Sequence, residues 1–239
     1  TVITKNKKKS VRCVRDPIHG WKHGFLEPNL VQLREDQLLL IITRDAFSWL
    51  PKMYKEMYCF RETEADLNVT FSTFLRKPYL CYPHERSNET ETAPNIVQIR
   101  TRKYKNWLDR NNPKYFAFDA KPPFCTRLHL RYESIVQDGQ EATIGKMLQS
   151  YGIRKEGEFH KIVKGTGPLG PIGKVYSAET IKKEAQEILE KYTLQDLQFV
   201  LDNLNLELER TLFNYTYDYV VDYMEERALK MRNKGTVPK

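Results

Sequence analysis

An unbroken apolar run, Leu38-Leu39-Leu40-Ile41-Ile42-Thr43, stops at Arg44-Asp45 and gives way to Ala46-Phe47-Ser48-Trp49. Such a run has no polar side to turn towards water, so it suits a strand buried on both faces of a parallel sheet. Asp45 or Ser48 can cap a helix behind it, reaching about Tyr58. Pro51 then falls in the first turn, where its missing N–H does no harm. In open parallel sheets, ligands sit beyond the carboxyl ends of the strands. A helix that starts there presents unpaired N–H groups and a partial positive charge, which stabilise a phosphate. Arg44 stands at that turn and can grip a phosphate through two parallel N–H bonds. Ser48 and Lys52 lie one and two turns on. The competing role for Arg44 is an ion pair with a carboxylate such as Glu133.

The rest of the chain fits the same class. Residues 11–15 alternate weakly, as a short strand does. Ile96 to Ile99 is a short buried segment, and Arg100 to Leu108 reads as a helix with a basic face (Arg100, Arg102, Lys103, Lys105). Arg127 to Tyr132 alternates as a strand. Asp138 is placed to cap a helix to Tyr151, with Gly152 at its end. Ser177 caps a helix to Lys191, and Thr193 starts another with Asp196 in its third position. Leu194, Leu197, Leu201, Leu204, Leu208 and Leu212 form a core stripe at helical spacing. Strands alternating with helices predict an α/β fold with a mostly parallel sheet flanked by helices. One domain over 1–239 is expected, with basic tails at 1–10 and 228–239. Residues 60–95, where Pro78 and Pro83 interrupt aromatic residues and a polar stretch follows, read as an irregular insertion.

With 40% hydrophobic and 29% charged residues, the chain has enough apolar material for a core. No apolar run approaches the length of a membrane span, and Thr1–Thr4 does not read as a signal peptide. A formal net charge of +8 favours anionic partners such as phosphorylated cofactors or acidic glycans. Cys13, Cys59, Cys81 and Cys125 form no C-x-x-C pair, which removes zinc and thioredoxin-like readings. Cys59 and Cys81 are either a disulfide or free thiols. Sequons at Asn68, Asn88 and Asn214 lean towards a Golgi lumen, with a cytoplasmic location as the alternative.

Trp21-Lys22-His23-Gly24 adds a second chemistry. His23, with an unperturbed pKa near 6.5, suits proton transfer at neutral pH. Lys22 beside it can neutralise charge on a bridging oxygen. The plainer reading of His23 is a half-buried histidine bonded to backbone. No metal site is expected: His19 and His23 are interrupted by Gly20, and His84, His129 and His160 are scattered.

Taken in order, these segments resemble the sulfotransferases that use 3′-phosphoadenosine 5′-phosphosulfate (PAPS). Gly20 to Gly24 is similar to their lysine-histidine strand end. Leu40 to Trp49 is similar to the strand and arginine that bind the donor's 3′-phosphate. Ile96 to Trp107 is similar to a further segment, and Leu130-Arg131-Tyr132-Glu133 to their arginine-tyrosine-glutamate strand. Gly165 to Lys174 and Tyr192 to Tyr217 are similar to the basic glycine loop and last helix. The resemblance spans roughly 20–220. It implies a P-loop-NTPase-like sulfotransferase fold, with His23 as base and Lys22 at the leaving oxygen. It also implies donor contacts from Arg44, from Ser48 or Lys52, and from Arg131, Lys164 and Lys174. PAPS would be the donor and 3′-phosphoadenosine 5′-phosphate (PAP) the product. The acceptor would be a hydroxyl or amine, on a glycan or a small molecule, lying over residues 60–95 and the basic helix. Nucleic acid is disfavoured as a partner.

The sequence departs from the family twice. Lys52 stands where the family has a serine eight residues after the arginine. No Gly-, Ser- and Thr-rich 5′-phosphosulfate loop precedes Trp21. Two other readings follow: a catalytically degenerate binder of anionic glycan or nucleic acid, and a nucleotide-dependent kinase relative. The absence of a G-K-[ST] ending in Gly165 to Gly170 counts against the kinase.

Overall fold

The computed structural model describes residues 2–5, 11–14, 37–55, 69–81, 91–108, 125–150 and 176–233. Lys22, His23, Lys164, Lys174, Cys59, Asn68 and Asn88 lie outside the described residues.

Among the described residues the main sheet has four strands: β1 (Val2–Lys5), β2 (Val11–Val14), β3 (Gln37–Thr43) and β6 (Cys125–Arg131). Their order is β2-β1-β3-β6. β3 and β6 run parallel, in register from Gln37↔Cys125 to Thr43↔Arg131. β1 is antiparallel to both β2 and β3. The described residues are mostly helical with a small sheet, compatible with an α/β fold, and that sheet is mixed rather than mostly parallel, since one of its three strand pairings is parallel. β3 is also not buried on both faces throughout. Strand alternation puts Ile41 (6% exposed) and Thr43 (0%) on the face closed by the described residues and leaves Ile42 49% exposed on the other.

Each parallel strand feeds a helix. β3 leads into α1 (Ala46–Lys55), and β6 leads directly into α4 (Tyr132–Asp138). Asp45 holds the start of α1: its Oδ1 accepts the Ser48 N–H at 3.0 Å. Ser48 is inside the helix, and Pro51 lies in its second turn, not its first. Ala46, Phe47, Leu50 and Met53 make the buried stripe of α1.

The stretch expected to be irregular contains regular, buried structure. α2 (Phe71–Arg76) is capped by Thr70 and buries Phe74 and Leu75. β4 (Tyr79–Cys81) pairs antiparallel with β5 (Glu91–Ala93) as a separate hairpin. Pro78 only ends the helix. α3 spans Ile96–Leu108, so the "buried segment" and the basic helix are one element. Its basic face is incomplete, because Arg100 points into the core.

α4 is followed by α5 (Gln140–Ser150). Asp138 ends α4 instead of capping α5. The break falls at Gly139, whose φ of 85° favours glycine. α6 (Ala178–Leu189) starts at Ser177, which caps the Thr180 N–H. α7 (Leu194–Asn203) starts with a capping box between Thr193 and Asp196. The leucine stripe then breaks: Asn205 caps a new helix, α8 (Leu206–Phe213). Last comes α9 (Asp218–Asn233), so residues 228–233 are helix and not tail. One core cluster joins α1, α2, α3, α7, the end of α6 and the Phe213–Val220 segment. Among the described residues, no helix is long and apolar enough to cross a membrane.

Candidate functional site

The turn Arg44-Asp45-Ala46 joins β3 to α1, and three distant elements grip its backbone. The Arg44 carbonyl accepts a hydrogen bond from Arg100 Nη2 of α3 at 2.6 Å. The Asp45 N–H donates to Glu133 Oε1 of α4 at 2.9 Å. The Ala46 N–H reaches the Tyr217 hydroxyl at 3.4 Å. With Ser48 held by Asp45, these contacts take up helix-start donors that the sequence had suggested for a phosphate. The expectation of a bare helix N-terminus is thus corrected in part: the Ala46 and Ser48 N–H groups, and that of Asp45 ahead of them, already have partners, because buried N–H groups require them.

Behind the turn lies a chain of buried polar groups. Thr43 Oγ1 shares a hydrogen bond with His129 Nε2 (2.6 Å) and lies 3.3 Å from the Tyr215 hydroxyl. Tyr215 donates to Glu133 Oε2 at 2.7 Å, and Tyr219 donates to Asp45 Oδ2 at 2.9 Å. Burial, reinforced by Glu133, pushes the Asp45 carboxyl up to about 6. Burial, reinforced by Arg131, lowers His129 to about 4, so this imidazole is neutral at pH 7. Burial likewise raises the Tyr215 and Tyr217 hydroxyls, which stay protonated as donors.

In front of the turn is a cavity of about 450 Å³ at the carboxyl ends of β3 and β6. Its volume falls within the roughly 300–1,000 Å³ range of ligand pockets. Arg44, Ser48, Arg131, Tyr132, Lys182 and Tyr219 are among its lining residues. Strand register sets Arg44 beside Tyr132, one residue beyond Arg131. Thr43 and Arg131 are partners across the parallel ladder, so Arg44 and Tyr132 are the next residues on each strand. The Arg44 guanidinium lies 3.9 Å over the Tyr132 ring. The Arg131 guanidinium lies 4.5 Å over the Tyr215 ring and donates Nη1 to the Asn214 carbonyl at 2.9 Å. Arg131 Nε is buried and finds no hydrogen-bond partner among the described residues. Both arginines line the cavity, where planar guanidinium donors suit an anionic oxygen.

The structure therefore brings Arg44, Ser48 and Arg131 to one cavity. Lys52 does not line it, and the Ser48 hydroxyl is engaged with the Asp45 carbonyl at 3.1 Å. Arg44 makes no ion pair with Glu133, whose oxygens serve Asp45 and Tyr215. The other anticipated residues, Lys22, His23, Lys164 and Lys174, lie outside the described residues. Sequence reasoning missed Lys182, Asn214, Tyr215 and Tyr219 as lining residues. A signal was present for the tyrosines: Tyr215, Tyr217 and Tyr219 alternate across the non-helical residues before α9 and its first turn. Among the described residues, no group of His, Cys, Asp and Glu could hold a metal ion.

No family model, no curated protein and no solved structure matches this chain.

Proposed function

We propose that the protein is a PAPS-dependent sulfotransferase on a P-loop-NTPase-like sulfotransferase fold, and that the cavity beyond β3 and β6 takes the phosphate-bearing end of the nucleotide. The observation that carries this reading is the convergence of Arg44 and Arg131 on one cavity, from adjacent ends of two parallel strands. These are two of the positions at which the sequence resembles the family. The fit to an anion is chemical: both arginines line the cavity, and both guanidinium groups are held over aromatic rings. A planar, pre-oriented guanidinium loses little entropy when it clasps a phosphate.

In the proposed reaction, the sulfur–oxygen bond to the donor's 5′-phosphate breaks and a bond to an acceptor oxygen or nitrogen forms. His23 takes the acceptor's proton, and Lys22 neutralises the charge left on the phosphate oxygen. Positioning and electrostatics supply most of the acceleration in such transfers. Arg44 and Arg131 hold the nucleotide. A glycan acceptor and a Golgi location agree with the basic charge and the sequons, and a small-molecule acceptor is the alternative within the same chemistry.

The test is transfer of radiolabelled sulfate from PAPS to a panel of glycan and small-molecule acceptors. Turnover is expected in the wild type, with a loss of about 100-fold or more in His23→Ala. PAP affinity should survive that substitution. Bisphosphate binding without turnover on any acceptor would favour the degenerate binder.

A further inference from the structure

The least expected residue near the cavity is one that does not line it. Arg100 is fully buried (0% exposed), as is its partner Glu209 of α8. Its Nε donates to Glu209 Oε1 at 2.9 Å and its Nη2 to Glu209 Oε2 at 3.1 Å. The same Nη2 donates to the Arg44 carbonyl at 2.6 Å. Glu209 Oε2 also accepts the Tyr217 hydroxyl at 2.8 Å, and Tyr217 is the group that meets the Ala46 N–H. The guanidinium sits 4.8 Å from the Tyr104 ring and 5.5 Å from the Trp49 ring.

A buried ion pair is a poor device for stability alone. Desolvation of two charges offsets much of their attraction, and apolar replacements of similar volume are often neutral or better. What this pair does that an apolar pair would not is fix a backbone carbonyl. Arg100 and, through Tyr217, Glu209 hold the two peptide groups that flank Asp45, the first of which carries the Arg44 carbonyl. We infer that Arg100 and Glu209 form a positioning pair that sets the direction of Arg44 into the cavity. Arg100 touches no ligand; it acts through Arg44. The inference rests on the nucleotide reading of the cavity.

The test is a double-mutant cycle on PAP affinity, measured calorimetrically in the full chain. Arg100→Lys keeps a charge beside Glu209 but cannot serve the fork and the Arg44 carbonyl together. It is expected to weaken PAP binding about tenfold in the wild-type background and less than about twofold in Arg44→Ala, because coupled residues are not additive. Should Arg100→Lys fold poorly, the apolar pair Arg100→Met/Glu209→Leu replaces it, with the same expectation at a retained melting temperature. Equal losses in both Arg44 backgrounds, or no loss at all, would overturn the positioning role while leaving the nucleotide site intact. If the wild type binds no PAP, the nucleotide reading fails and the positioning role goes with it.

Discussion

The hydroxyl of Tyr192 donates to the Phe47 carbonyl at 2.7 Å, the carbonyl that Pro51 leaves without its helical partner. Residue 51 would ordinarily supply an N–H four residues back along α1, and proline has none. Tyr192 comes from the α6–α7 junction, 145 residues away, and its ring is buried against Phe47 at 5.6 Å. A local defect in α1 has thus become a long-range contact that pins the helix.

Tyr192→Phe keeps the ring and removes the donor. It should cost about 1–3 kcal/mol, the range for an unsatisfied buried acceptor. In a Pro51→Ala background the helix supplies its own N–H, and the cost of Tyr192→Phe should fall below about 0.5 kcal/mol. Urea denaturation of the four proteins checks this. Additive losses would mean that the two sites do not share the carbonyl.

Asp45 and His129 titrate against each other. Asp45 is raised from 3.8 to about 6, so the folded state holds its proton longer than the unfolded state. That contribution is present in full below about pH 4 and is lost as pH rises through about 6, an effect on the order of 3 kcal/mol. His129 is lowered from 6.5 to about 4; its contribution is present above about pH 6.5 and is lost as pH falls through about 4. The two slopes oppose one another over the same window. Asp45→Asn removes the first, so stability in that variant should rise more steeply from pH 4 to 6.5 than in the wild type. Denaturation midpoints across that range measure it, and an unchanged slope would contradict the Asp45 assignment.

Breaking the Arg100–Glu209 pair from one side leaves a bare buried charge. Arg100→Met alone should cost about 3–5 kcal/mol, and adding Glu209→Leu should recover most of it. Denaturant unfolding of the single and double variants reads this directly. A double variant as unstable as the single would show that the pair is needed for packing itself.

Asp196 joins two helices as well as capping one. Its carboxylate accepts the Thr193 N–H at 3.1 Å and the Ser72 hydroxyl at 2.8 Å, and pairs with Arg76. Burial opposes its ionised form, but the hydrogen bonds from Arg76, Thr193 and Ser72 win and lower its pKa. Thr193→Ala should cost about 1 kcal/mol, a typical cap. Asp196→Ala should cost more than that, since α2 loses its tie to α7 as well. Thermal melts of both variants test the order, and equal losses would reduce Asp196 to a cap.

What was legible in the sequence was local. The apolar run before Arg44, the alternation before Tyr132 and the caps at Ser177 and Thr193 each rest on residues a few positions apart, and each forms as expected. What was hidden was non-local. Arg100 reads as one of four cations on a helix face, and only Glu209, 109 residues later, explains its burial. Pro78 and Pro83 outweighed the spacing of Phe71, Phe74 and Leu75, so α2 was read as irregular. The sense of β1 and the filling of the α1 start by Glu133 and Tyr217 both depend on tertiary pairing that no short window contains. At the cavity, Arg44 and Arg131 lie at neighbouring strand ends, which are legible, and Ser48 joins them one turn into α1, whereas helix phase puts Lys52 outside the lining.

The central claim is that the cavity bounded by Arg44 and Arg131 recognises a 3′-phosphorylated nucleotide. Thermal stabilisation by PAP, beside ATP and AMP, measures it most directly, because a ligand of the folded state must raise its stability. At about 100 times its Kd, PAP should raise the melting temperature by about 5–10 °C. ATP and AMP should raise it far less, and Arg44→Ala should cut the PAP shift by more than half at the same concentration. A PAP shift no larger than that of ATP, or one that survives Arg44→Ala undiminished, would contradict the account.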